Sequence, residues 1–328
     1  MRRPWVRSPS GPLSRTLFEV NLQTLIQSKK PILVEGAMVE RLSRMEGVAL
    51  DSALIHAPLI YSPVQALQLG QVYRSYLNVG RKYNLPILTL TPTWRANFRN
   101  IAESQWKSQS LNEDCVHFLK EIRTEYGKYA SSIYVGGMMG PSGDCYRPNE
   151  ALTEKEAFNF HISQARALHN AGADFLLAST LPAVSEAIGL ARAMSSTLAH
   201  YAISFVVRPD GTVLDGTPLH QAILAIDQKT ESNPPIFYAI NCVHPEMFRK
   251  ALVKENHQTV KGRLLGFQAN TSARNPEELD CLLERETIEP ITFGNLMQKL
   301  RGDVGIQILG GCCGTDDRHI DALAKHLA

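Results

Sequence analysis

Residues 306–317 read Ile306-Gln307-Ile308-Leu309-Gly310-Gly311-Cys312-Cys313-Gly314-Thr315-Asp316-Asp317. A short apolar run, Ile306–Leu309, gives way to a glycine-rich turn. Thr315 then opens a helical stretch, Asp316–Leu327, whose first two carboxylates suit the positive end of a helix dipole. This is one strand-then-helix unit, and the same grammar recurs upstream. Comparable β-rich runs stand at Ile32–Val34, Ile87–Leu90, Ile133–Val135, Phe175–Ala178, Ala202–Val207, Ile236–Ile240 and Leu264–Phe267. Helical periodicity lies between them, at Pro63–Asn78, Glu154–Ala171, Val184–Ala199, Pro218–Gln228 and Pro245–Val253, with Thr153 before Glu154 and Glu156 as a second start signal. The runs are continuously apolar, as parallel strands buried on both faces require. Eight such units over about 300 residues predict a closed (β/α)8 TIM barrel of the α/β class. We expect a single domain over residues 31–328, preceded by a leader and first helix over 1–30. A doubly wound open sheet is the rival, but no G-x-G-x-x-G follows the first run.

Charge narrows the partners. The chain has 34 basic and 32 acidic residues among 328, a balance that argues against nucleic acid or an anionic membrane. No apolar run reaches the roughly 18 residues that a membrane span needs. The first residues, MRRPWVRSPSGPLSRTL, carry four arginines with no apolar core behind them, which is not a secretory signal. A transit peptide is one reading of this leader; a disordered segment or an early start codon is the preferred one. The expectation is a cytoplasmic protein.

The cysteines carry the chemistry. They stand at 115, 145, 242, 281, 312 and 313, without the spacing of a disulfide framework, and the adjacent pair Cys312 and Cys313 cannot bond to each other without strain. Active sites of such barrels lie at the C-terminal ends of the strands. Strand one ends in Glu35-Gly36-Ala37-Met38, strand six in Asn241-Cys242 and strand eight in Gly310 to Gly314. Strands six and eight are one strand apart, so at about 4.8 Å per strand their ends fall within roughly 10 Å of each other. Three thiolates with an open fourth position describe a catalytic zinc site, since structural sites fill all four positions with protein ligands. A substrate thiol taking that position loses its proton and stays nucleophilic, which suggests attack on an activated carbon. The cysteines are then ligands, and no residue of the chain is assigned as a catalytic group. Cys115 and Cys281 fall in helical stretches and are read as inert. Cys145 lies after strand three on the correct face, but no partner spacing supports it as a ligand.

Other polar residues receive structural readings. Thr91, Thr93 and Trp94 end strand two and are candidates for the pocket wall, with packing of the barrel top the alternative for Trp94. Asp215 is expected to cap the helix that follows it. Asn241 and Asn270 could hydrogen-bond the cysteine sulfurs. His244 and His319 begin or lie inside helices and are read as structural.

From Ile32 onward the chain resembles the homocysteine S-methyltransferases. The landmarks, in order, are Glu35-Gly36-Ala37-Met38, Thr91–Ala96, Gly140-Pro141, Ala171–Asp174, Ser204-Phe205, Asp215–Pro218, Asn241-Cys242 with His244-Pro245-Glu246, Asn270, and Gly310–Thr315 followed by His319-Ile320. The resemblance implies a (β/α)8 barrel, Zn2+ held by Cys242, Cys312 and Cys313, a small thiol acceptor such as homocysteine, and a methyl donor. Among substrate-binding positions it points to Glu35, Ala37, Met38, Thr93, Ser179 and Asn241. The leading donor is a sulfonium, S-methylmethionine or S-adenosylmethionine. The chain ends soon after the last barrel helix, without the oligomerisation arms of betaine-dependent members, which favours a monomer.

Two departures stand out. Glu35 and Val39-Glu40 replace the family's Asp and Gly-Thr after strand one. At strand four the family's Phe-Glu-Thr-Ile-Pro is Ala178-Ser179-Thr180-Leu181-Pro182, so Ser179 stands where a carboxylate binds the acceptor's amino group. Another small thiol or a selenol is therefore an alternative acceptor, and a zinc barrel that binds thiols without turnover is a further one.

Overall fold

The computed structural model describes residues 22–254, 260–273 and 287–328. Eight parallel strands close a barrel in chain order: β1 Ile32–Val34, β2 Ile87–Leu90, β3 Ile133–Met139, β4 Phe175–Leu181, β5 Tyr201–Phe205, β6 Phe237–Val243, β7 Leu264–Ala269 and β8 Ile308–Gly311. Leu33 pairs with Ile87 on one side and Leu309 on the other, which closes the ring. Every expected run is a strand. The bounds differ mainly at the C-terminal ends, where β3, β4 and β6 run further because glycines and polar residues, which carry little strand propensity, are held there by ladder pairing.

Among the described residues the helices are α1 Leu22–Gln27, α2 Val39–Ser43, α3 Pro63–Tyr83, α4 Phe98–Glu103, α5 Leu111–Thr124, α6 Glu154–Asn170, α7 Val184–Ser195, α8 Leu219–Lys229, α9 Pro245–Lys254, α10 Pro290–Val304 and α11 Asp317–Leu327. Alternation along the strands divides the core in two. Ile32, Leu88, Phe175, Leu177, Phe237, Ala239 and Ile308 fill the interior, joined by Leu22 of α1. Their neighbours Leu33, Ile87, Leu176, Tyr238 and Leu309 pack outward against the helices. Among the described residues no helix is long and apolar enough to cross a membrane. The leader residues 1–21 and Cys281 lie outside the described residues.

Thr153 caps α6 in a full capping box with Glu156, as its spacing predicts. At the other expected start, Asp316 and not Thr315 is the cap, because its carboxylate reaches the backbone N–H groups of Arg318 and His319. The Thr315 hydroxyl is engaged elsewhere. It accepts from Ala37 N (3.1 Å) and donates to Cys312 O (2.6 Å), tying the end of β1 to the end of β8. Gly36 and Gly311 make that approach possible, since a Cβ at either would collide with the Thr315 hydroxyl. Asp215 also departs from expectation. It accepts from Thr217 N and from Val184 N (2.7 Å), so it braces the first turn of α7, the preceding helix, while Pro218 occupies the cap of α8.

Candidate metal centre

Along β6 the alternation that sends Phe237 and Ala239 inward carries Asn241 inward too, and would turn Cys242 toward the helices. It does not, because the register with β7 shifts between Asn241 and Val243 and Cys242 takes φ +57°. A bulge of this kind re-aims a side chain at a barrel rim, and here it swings the Cys242 sulfur to the mouth. β4 repeats the device: its register with β5 shifts between Ala178 and Leu181, and Thr180 takes φ +64°. Left-handed backbone at two non-glycine residues is strain that surrounding contacts must hold.

Asn241 supplies those contacts. Its Oδ1 accepts from Thr180 N (3.0 Å) and Ser204 Oγ (2.6 Å), and its Nδ2 donates to Thr180 Oγ1 (2.7 Å) and Cys242 Sγ (3.4 Å). One buried amide therefore locks both bulges and orients a sulfur. Asn270 acts on the same turn from β7, donating to Cys242 O (3.1 Å), not to a sulfur. Replacing Asn241 by Ala would leave Thr180 N and Ser204 buried without this partner, at about 1–3 kcal/mol for each group. We expect the denaturation midpoint of Asn241→Ala to fall and its zinc affinity to drop roughly 10–100-fold, both read by titration of the purified protein.

The three sulfurs meet as the spacing predicts. Sγ atoms of Cys242, Cys312 and Cys313 lie within 4.8 Å of one another, with Cys312 and Cys313 4.0 Å apart. Thiolates at about 2.3 Å from one zinc ion lie slightly closer together than this, so small rotations would let all three share such an ion. Their proton affinities also suit a metal. Hydrogen bonds from Cys312, Cys313 and Asn241 pull the Cys242 thiol well below the usual range. Hydrogen bonding to Cys242, then burial and the Cys242 charge, push Cys312 and Cys313 up. Without a cation the trio thus gives up one proton readily and holds the rest, whereas a divalent ion relieves the repulsion. Glu40 braces this loop, accepting from Gly314 N (2.8 Å).

A cavity of about 410 Å³ opens beside the sulfurs. Glu35, Ala37, Met38, Ser179 and Asn241 line it. Thr93 does not: it is fully buried behind Thr91, its hydroxyl held between Thr91 Oγ1 (2.6 Å) and Met138 O (2.6 Å). Trp94 is on the wall, its Nε1 donating to Ser179 O (3.2 Å). Burial pushes the Glu35 carboxyl up to about 8, even though Thr89 Oγ1 (2.8 Å) and Leu90 N (3.2 Å) donate to it.

Cys145 and Tyr146 also face the cavity, from the loop after β3. That loop is fixed from behind by Glu186, which is fully buried and accepts from Ser142 N (2.7 Å), Leu152 N (3.3 Å) and His161 Nε2 (2.9 Å). Cys145 is outside the sulfur trio, and Cys115 is buried in α5. His244 and His319 are structural: His244 Nδ1 accepts from Glu246 N, and His319 back-bonds to Asp316 and reaches Ile288 O (2.9 Å). Sequence reasoning missed Thr180, Tyr146 and His56 on the wall. Thr180 adjoins a flagged strand end; Tyr146 and His56 lie in loops with no motif to mark them.

Comparison with known proteins agrees with this picture. The family model described as homocysteine S-methyltransferase matches residues 32–327. The homocysteine S-methyltransferase YbgG of Bacillus subtilis is 24% identical over 92% of this chain and 96% of the relative. A selenocysteine Se-methyltransferase of Brassica oleracea is 26% identical over 69% of this chain and 64% of its own length. Among solved structures, the metallated form of the homocysteine methyltransferase MmuM from Escherichia coli matches 93% of this chain and 99% of its own, with TM-score 0.73 at 24% identity.

Proposed function

The chain belongs to the homocysteine S-methyltransferase family, and from that premise we propose that it moves a methyl group from a sulfonium donor to a zinc-bound small thiol, with homocysteine the leading acceptor. The observation that carries this reading is the convergence of Cys242, Cys312 and Cys313 beside a cavity of amino-acid size. A zinc ion held by these sulfurs would acidify an entering thiol and keep it nucleophilic.

The chain's own residues do the rest. Asn241 and the two bulges hold Cys242 toward the mouth. Thr315 and Glu40 fix the loop that carries Cys312 and Cys313. Glu35 offers a carboxyl to the acceptor's ammonium, whose charge favours the ionised form. Trp94 and the loop bearing Tyr146 limit water at the reacting sulfur. We take the donor to be S-methylmethionine or S-adenosylmethionine and the protein to work as a cytoplasmic monomer. Incubation of the zinc-loaded protein with homocysteine and each sulfonium is the test: methionine should form, and no methylated product from either pair would reject the proposal.

Ser179 favours a second reading of the acceptor. It lies on the cavity wall, 2% exposed, its hydroxyl 3.3 Å from Thr180 Oγ1. Without a carboxylate there, the amino group of homocysteine lacks a second partner, and other thiols or selenols compete better. A charged hydrogen bond contributes about 1.5–3 kcal/mol, so Ser179→Glu should raise homocysteine affinity tenfold to about a hundredfold. Unchanged affinity by calorimetry would show that this position does not contact the acceptor.

A further inference from the structure

His56 has no part in the metal centre or its supports, yet the fold delivers it to the cavity at evident strain. It follows a tight turn in which Asp51 and Ile55 exchange both backbone hydrogen bonds (2.9 Å and 2.8 Å) and Asp51 Oδ1 accepts from Ala53 N and Leu54 N. Ile55 takes φ +55°, a left-handed conformation that a β-branched residue adopts only when its surroundings impose it. The next residue, His56, is 5% exposed and stands on the cavity wall. Its Nδ1 is sealed from solvent with no hydrogen-bond partner among the described residues. Burial pushes the imidazole down to about 4, so it is neutral near pH 7. A neutral ring has one N–H, and an unpaired buried donor is worse tolerated than an unpaired acceptor. The proton therefore belongs on Nε2, a donor with no hydrogen-bond acceptor among the described residues.

The surroundings say which ligand group completes it. Glu35, Glu40 and the three cysteines are the acidic and thiol groups on a largely apolar wall, a set that suits an ammonium or a sulfonium. Among the described residues the basic side chains on the wall are His56 and Arg44, and Arg44 is about half exposed and drawn toward Glu40 (3.9 Å). A carboxylate entering this pocket finds its buried donor at His56.

Resting on the methyl-transfer reading above, we propose that His56 Nε2–H binds the carboxylate of the amino acid seated in the zinc pocket, and so makes the enzyme selective for carboxylate-bearing ligands. The carboxylate can come from the thiol acceptor or from an amino-acid sulfonium, and paired ligands separate the two. Calorimetry on the zinc-loaded full chain compares homocysteine with 3-aminopropanethiol, and S-methylmethionine with (3-aminopropyl)dimethylsulfonium. Each pair differs by the carboxylate alone.

For one pair, the unaltered protein should prefer the carboxylate form by about tenfold to a hundredfold, as loss of a charged hydrogen bond implies. His56→Leu should remove that preference by weakening only the carboxylate ligand, with zinc content unchanged. His56→Gln, which keeps a neutral donor, should recover part of it, and it decides the matter if the Leu variant does not fold. A preference that survives in both variants, or none in the unaltered protein, overturns the assignment while methyl transfer stands. Failure of every thiol and sulfonium to bind or turn over would instead bring down the methyl-transfer reading and this one with it.

Discussion

Cys312→Ser protein will purify without stoichiometric zinc, and its methyl transfer will fall to background. The loss should exceed the roughly 10–100-fold that removal of an outer hydrogen-bond partner produces. Serine's hydroxyl does not ionise near neutrality as a metal-bound thiol does, so the variant loses a charge as well as a ligand. The remaining pair, Cys242 and Cys313, would then face a metal ion with two anions in place of three. Cys145→Ser is the control that gives the result meaning. Cys145 faces the same cavity but lies outside the sulfur trio, so its variant should keep full zinc. Metal analysis after exhaustive dialysis distinguishes the cases. Stoichiometric zinc in Cys312→Ser would remove that residue from the site, and lost zinc in Cys145→Ser would admit a fourth protein ligand and contradict the open position on which methyl transfer depends.

Why the sequence reveals which cysteines meet, but not how, follows from period and range. Eight apolar runs mark the strands because residues buried on both faces must be apolar, and glycines flank Cys312 and Cys313 at a strand end, where barrel chemistry sits. Orientation is another matter. Strict alternation would turn Cys242 away from Asn241, and only the bulge at φ +57° brings it back. That bulge is tied through Asn241 to a second one at Thr180, 61 residues away, and no local pattern encodes a contact at that separation. Thr93 shows the converse: placed by position at a strand end, it lies behind Thr91 because its hydroxyl satisfies Met138 O. Thr315 looked like a helix cap and serves instead as the bolt between β1 and β8. In each case the residue was legible and the partner was not.

These tertiary ties also locate the strain. Ile55, Thr180 and Cys242 hold left-handed backbone next to or within the cavity wall. Such conformations persist only where other contacts over-determine them, and here the contacts are named: the Asp51 turn for Ile55 and the Asn241 amide for the other two. The barrel is regular where it supports and irregular where it presents side chains. The same partition explains why the apolar interior was readable from the sequence and the mouth was only partly so.

Glu35→Gln will flatten the pH dependence of stability in the zinc-free protein. The Glu35 carboxyl lies buried at the end of β1, and burial raises it from 4.5 to about 8 despite donors from Thr89 and Leu90. The folded state therefore keeps a proton that the unfolded chain releases above pH 4.5. Stability attached to this group is fully present below pH 4.5 and is lost as pH rises toward about 8. At 1.36 kcal/mol for each unit, the difference between wild type and Glu35→Gln should change by up to about 5 kcal/mol across that window, in favour of the variant at the alkaline end. Denaturant titrations at several pH values, with metal removed from both proteins, read this difference directly, and the cysteines titrate in both and cancel. Parallel curves would mean that Glu35 is not held protonated. If the slope is found, its functional consequence follows from the same linkage. An acceptor's ammonium seated beside Glu35 would supply the charge that makes ionisation favourable, so binding would expel a proton and form an ion pair. Glu35→Gln, having no proton to expel, should bind the acceptor more weakly and without proton release.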